Sequence, residues 1–200
     1  MGETAGGPAG RQCPVRPMNR LRVLVVDDWP VWRELRLAAL ADAPHAFGSA
    51  LADWQGDDDT QRRWRARLET VAVNIVAELD GQPAGMISGD RTGSDTVELI
   101  SLWVAPAARG RGVGDLLVAA VVEWAERAER AGADRAVLRV YESNHHAVLL
   151  YQRSGFTRTN VAAAGQSDDR PEWVMERPLA GRRLPPGDQQ DGRVTEKQLE

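Results

Sequence analysis

The stretch that decides the fold is Val97-Glu98-Leu99-Ile100-Ser101-Leu102-Trp103-Val104, followed after Pro106 by Arg109-Gly110-Arg111-Gly112-Val113-Gly114. With Thr96, the first part is nearly all apolar or β-branched, and a run of this length reads as a central strand buried on both faces. Pro106 ends it. From Gly112 the period becomes helical: Leu117, Val121, Trp124 and Ala128 recur at spacings of four, three and four, and Gly132 suits a helix C-terminus. The glycines therefore sit between a buried strand and a long helix. A helix N-terminus carries unpaired N–H groups and partial positive charge, glycine lets a phosphate approach the backbone, and Arg109 and Arg111 add charge. A glycine-rich turn with no ligand is the plainer alternative. Two phosphate signatures fail. The P-loop needs Lys-Ser or Lys-Thr after its last glycine, where Asp115-Leu116 stands. The dinucleotide fingerprint needs a different glycine spacing and an acidic residue ending the next strand, whereas Asp134 precedes that strand.

On the N-terminal side lies the clearest hairpin. Val71, Val73, Ile75, Ala77 and Leu79 alternate, Asp80-Gly81 is a preferred type I′ pair, and a returning strand spans 82–90 before a turn at 91–95. Further upstream, 21–26 is a β-rich run. Asp28 and Pro30 start a helix with Val31, Leu35, Ala38 and Leu40 on one face, ending before Pro44. Residues 42–59 read as a loop ending in Asp57-Asp58-Asp59, read as solvated, and Thr60 caps a helix carrying Trp64 and Leu68. Downstream, 135–141 is a strand, Asn144 caps a short helix running to Gln152, Gly155 ends it, and 156–160 and 172–177 are strands. The pattern is βαα, βββ, αβα, ββ: an α/β class, one mixed sheet with helices packed on both faces.

The chain has 200 residues, 27% of them charged and 42% hydrophobic, enough for one domain with a sizeable core. Residues 19–180 are expected to fold, with 1–18 and 181–200 as polar, Gly- and Pro-bearing tails. A net charge of −4 argues against nucleic acid as a partner. The single cysteine, Cys13, falls in the first tail and excludes an intrachain disulfide and a Cys/His zinc cluster. With no apolar run near 18 residues and no secretory h-region at the N-terminus, a cytoplasmic protein without membrane contact is expected.

Arg109-x-x-Gly112-x-Gly114 after this strand resembles the acetyl-CoA motif of the GNAT N-acetyltransferase superfamily. Asn144-His145-His146-Ala147 and Tyr151-Gln152-Arg153-Ser154-Gly155-Phe156 resemble that family's asparagine, short helix, tyrosine and Gly-Phe strand entry. Element order agrees over about residues 20–178.

The resemblance implies a GNAT fold and acetyl transfer from acetyl-CoA to a primary amine, on a small molecule or a protein, by direct attack in a ternary complex. No metal is implied, and a homodimer is a frequent arrangement in the family. It implies that acetyl-CoA lies where the strands ending at Val104 and Tyr141 part. Its pyrophosphate would rest on Arg109, Gly110, Arg111, Gly112, Val113 and Gly114; its pantetheine arm would pair with the backbone of Leu102, Trp103 and Val104 and meet the Asn144 side chain. Val104 N–H is the implied oxyanion donor. Tyr151 is the candidate acid for the leaving thiolate, with core packing as its alternative. Glu98, an acid inside a buried strand, is the candidate base; its alternative is to order water or bind the acceptor's cation. His45 and the loop around it are expected near the acceptor, or else form a turn over a buried Phe47, and adjacent His145 and His146 are expected to be exposed. A competing reading within the same fold is a non-catalytic acyl-CoA-binding protein, and a third is a nucleotide-binding protein of another fold.

Overall fold

The computed structural model describes residues 19–127, 133–159 and 170–179. The elements run β1 (Asn19–Val23), α1 (Trp29–Asp42), α2 (Gln61–Thr70), β2 (Val73–Leu79), β3 (Gln82–Arg91), β4 (Thr96–Val104), α3 (Val113–Arg127), β5 (Arg135–Tyr141), α4 (His145–Arg153), β6 (Thr157–Arg158) and β7 (Glu172–Pro178). This is the expected order. The expected tails, Cys13, Gly132 and Asn160 lie outside the described residues.

Among the described residues, seven strands form one sheet in the order β1-β2-β3-β4-β5-β7-β6, so β4 is central. Of these strands only β4 and β5 pair in parallel, because the α3 crossover returns the chain in the same direction. Asp80 and Gly81 have φ of 53° and 78°, as a type I′ turn between β2 and β3 requires.

Each sheet face carries its own core. On one face α3 and α4 bury Val113, Leu117, Val121, Val148 and Leu150 against β2–β5. On the other, α1 and α2 bury Trp32, Leu35, Ala39, Trp64 and Leu68 against Val76, Met86 and Trp103. The α1 stripe keeps Leu35 and Leu40 but otherwise differs from expectation. Ala38 is exposed, and the buried face is Trp32, Leu35, Arg36, Ala39 and Leu40. The helix starts at Trp29, and the Asp28 carboxylate accepts from Val25 N–H at 2.9 Å and from Arg22 at 2.6 Å instead of capping α1 by its side chain. β1 also begins earlier than predicted and ends at Val23, because Val26–Asp28 turn into the helix.

Asp59 is more than a solvated end of its acidic run. It accepts from Arg33 Nε at 2.6 Å and from the Trp64 indole N–H at 2.7 Å, tying the α1–α2 loop to both helices. The Arg33 hydrogen bond, then that of Trp64, hold its carboxyl down at about 2. Because the folded value lies below the unfolded value of about 3.9, this group stabilises the fold above that pH, and the contribution is lost as pH falls toward 2. In thermal melts, Asp59→Asn is expected to melt below wild type between pH 5 and 8, with the gap closing toward pH 2. A gap independent of pH would contradict this assignment.

Candidate active site

β4 and β5 pair only over Thr96–Leu99 and Arg135–Leu138, after which they part. A bulge in β4 accompanies the opening. Met86 faces Trp103 and Ser88 faces Ile100, so Ser101 and Leu102 together oppose Ile87. Ser101 takes φ 59°, a left-handed conformation that costs a non-glycine residue about 1–2 kcal/mol. Arg67 of α2 reaches this residue: its Nη2 lies 3.4 Å from Ser101 Oγ and 3.3 Å from Ser88 Oγ, and its Nη1 donates to Asn74 Oδ1 at 3.0 Å. Further along, Ala105 N–H donates to Ala84 C=O at 2.9 Å on the β3 side. Since successive strand residues alternate, the intervening Val104 N–H turns away from β3, toward the side β5 has left.

The gap between the strands holds a cavity of about 330 Å³. Glu98, Leu102, Asn144 and Tyr151 all line it. Residues 109–114, Trp103 and Val104 are not in its wall. Trp103 turns its ring to the α1–α2 face, where the indole N–H donates to Asp42 Oδ2 at 2.9 Å. Ala46, Phe47 and Gly48 line the cavity, whereas His45 does not, and Phe47 is only half-buried. Trp54 stacks on Trp64, their ring centres 4.7 Å apart, and neither reaches the cavity. His145 and His146 are exposed.

Tyr151 is placed by the end of α4. Gly155 has φ 85°, its N–H donates to Gln152 C=O at 3.0 Å, and Phe156 N–H donates to Tyr151 C=O at 3.0 Å. This is a Schellman ending, whose apolar contact joins the residues that here are Tyr151 and Phe156. Their rings meet edge-on at 6.1 Å. Burial pushes the Tyr151 phenol well above its ordinary value, so the hydroxyl keeps its proton. Asn144 Oδ1 accepts Ala147 N–H at 3.2 Å as the α4 cap, leaving the amide nitrogen as the donor it offers the cavity. Glu98 pairs with Arg139 Nε at 3.5 Å.

The glycine loop lies at the start of α3, whose first turn bonds Leu116 N–H to Gly112 C=O at 3.1 Å. Gly110 and Gly112 take φ of 74° and 79°, and a Cβ on either would meet open space. α4 is held beside the loop. A Cβ on Gly114 would lie 3.0 Å from Leu150 Cδ2, and Arg153 pairs with Asp115 at 2.6 Å. The arginines are not simply free cations over the loop. Arg109 bonds the Asp42 carboxylate and donates from Nε to Val104 C=O at 3.1 Å, and Arg111 lies 3.7 Å from Asp80. The indole N–H of Trp103 and then Arg109 hold Asp42 below the usual carboxylate range.

The sequence reading passed over Arg36 and Arg67. One signal was available: with Trp32 placed on the α1 stripe, Arg36 follows four residues later, a charge on a face otherwise apolar.

The acetyltransferase (GNAT) family model matches residues 30–156. The chain belongs to this family. A mycothiol acetyltransferase of Salinispora arenicola is 33% identical over 139 residues, covering 66% of this chain and 42% of that protein. The chain thus spans less than half the length of the mycothiol acetyltransferases it matches. Two solved structures share the fold. The PaiA N-acetyltransferase of Thermoplasma acidophilum, in complex with coenzyme A, has a TM-score of 0.62 at 15% identity, over 81% of this chain and 99% of that one. The ribosomal-protein-S18-alanine N-acetyltransferase of Escherichia coli has a TM-score of 0.56 at 19% identity, over 84% and 99%. Among the described residues, no helix is long and apolar enough to cross a membrane.

Proposed function

We propose that this chain transfers an acetyl group from acetyl-CoA to a primary amine by direct attack. The observation that carries the reading is the bulged, unpaired end of β4 facing a cavity lined by a proton-holding Tyr151, with a glycine-opened helix N-terminus next to α4. These features suit coenzyme A: the open β4 edge offers backbone groups to an amide-bearing arm, and the α3 N-terminus offers N–H groups to a pyrophosphate. Leu102, Trp103 and Val104 would supply the edge, residues 109–114 the anion site, and Asn144 Nδ2 a further donor. Acetyl-CoA, when bound, supplies an acetyl group activated as a thioester.

The remaining tasks fall to side chains of this chain. Val104 N–H, turned to the open side, serves as donor to developing negative charge. Tyr151 Oη gives its proton to the departing sulfur. Glu98 takes a proton from the acceptor ammonium, directly or through water, because an alkylammonium has no lone pair with which to attack. Glu98→Gln is expected to lower kcat about tenfold and to move the acidic limb of the pH–rate profile up toward the acceptor amine's own pKa. An unmoved limb would remove the role. The function as a whole is tested by thiol release from acetyl-CoA over an amine panel, with coenzyme A binding measured alongside. Tight binding without turnover on any amine would favour a non-catalytic acyl-CoA-binding protein.

A further inference from the structure

Arg36 is a charge on a helix face that is otherwise apolar. It lies on the buried face of α1, only 9% exposed, and lines the same cavity as Glu98 and Tyr151. Its Nη2 donates to Ser49 Oγ at 2.7 Å and its guanidinium lies over the Phe47 ring, 4.6 Å from the centre. Its Nη1 is buried with no hydrogen-bond partner. The neighbouring cation is Arg67, half-buried, whose hydrogen bonds go to neutral side chains. Among the described residues, neither guanidinium has a carboxylate within ion-pair distance. Burial, and for Arg36 the nearby charge of Arg67, lower both to about 10, so both remain charged at neutral pH.

A buried charge with an unmet donor is costly, and an apolar residue of similar volume would pack this helix face better. An anion bound in the cavity would pair with this charge. A carboxylate accepts two parallel N–H bonds from a guanidinium, the geometry Arg36 can offer from Nη1 and Nη2. Sulfur, amide and hydroxyl groups of coenzyme A do not meet that need, and its phosphates would be held at the α3 N-terminus.

We propose that the amine acceptor carries a carboxylate and that Arg36, supported by Ser49 and Phe47, binds it. This rests on the acetyl-transfer reading for the word acceptor, but the anion site is testable without it. The acceptor is then an amino acid or a compound bearing that pair of groups. Its ammonium lies toward Glu98 and its carboxylate toward α1. Arg36 is a specificity residue in this scheme and moves no proton.

The experiment uses the full chain and a panel of α-, β- and γ-amino acids, each with its carboxamide. Calorimetric titration without acetyl-CoA reads the anion site, and thiol release with acetyl-CoA reads the transfer. At least one acid is expected to bind and to be acetylated at least tenfold more efficiently than its amide. Arg36→Gln is expected to erase that preference, and Arg36→Lys to restore part of it. Coenzyme A titration of each variant reports folding, and the wild-type comparison of acid with amide needs no variant. Amides that bind and react as well as acids, or a preference that survives Arg36→Gln, would overturn the proposal. So would binding of no acid at all. If acids bind through Arg36 and no amine is acetylated, the anion site stands and the transfer reading fails.

Discussion

Tyr151→Phe is expected to lower kcat by about 10²-fold, the low end for loss of a general acid, while leaving coenzyme A affinity within about twofold of wild type. The phenyl ring keeps the edge contact with Phe156, and the backbone bond from Phe156 N–H to Tyr151 C=O does not depend on the hydroxyl. The helix ending should therefore survive, and only the proton is lost. Because burial raises the phenol's pKa, wild-type activity should show no basic limb from Tyr151 ionising below pH 10. A thioester with a better leaving thiolate should recover part of the mutant's rate, since a weaker base needs less acid assistance. Wild-type turnover in Tyr151→Phe would leave the residue a packing role only.

Gly85→Ala is expected to destabilise the domain by about 2 kcal/mol, which lowers the melting temperature by about 4–8 °C at this size. A Cβ at Gly85 would lie 2.8 Å from the Trp103 carbonyl oxygen, with Leu117 Cδ1 at 3.1 Å and Val113 Cγ1 at 3.3 Å. The closest neighbour is backbone and cannot rotate away. Gly85 pairs with Val104, so relief would displace the end of β4 that the proposed cofactor edge needs. Coenzyme A affinity should fall along with stability. Gly48→Ala is the control for stability, since a Cβ there meets nothing within 4 Å. Equal melting of Gly85→Ala and wild type would mean that α3 and β4 tolerate a wider spacing.

Much of the site could be read from the chain because the signals were local. Asn144 capping α4, Gly155 ending it and Phe156 closing back on Tyr151 form one continuous segment, and each residue type answers a backbone need within five positions. The strand Thr96–Val104 and the glycines before α3 are likewise a local switch of period and conformation. The fate of Arg109 was not local. Its charge suggested an anion, but Asp42, 67 positions away, takes up its guanidinium. Asp59 was misread for the same reason, as its partner Arg33 lies 26 residues back.

By itself the sequence determined the order of elements, the type I′ hairpin, the glycine-opened helix and the Tyr151 ending, since these follow from side-chain period and from residues that accept left-handed backbone. Only the tertiary structure decided where β4 parts from β5, that the extra residue falls at Ser101 and Leu102, and that Arg36, with a buried unmet donor, lines the resulting cavity. A bulge is a mismatch between two strands and a buried charge is a relation among helices and sheet. Neither exists until segments distant along the chain are packed together.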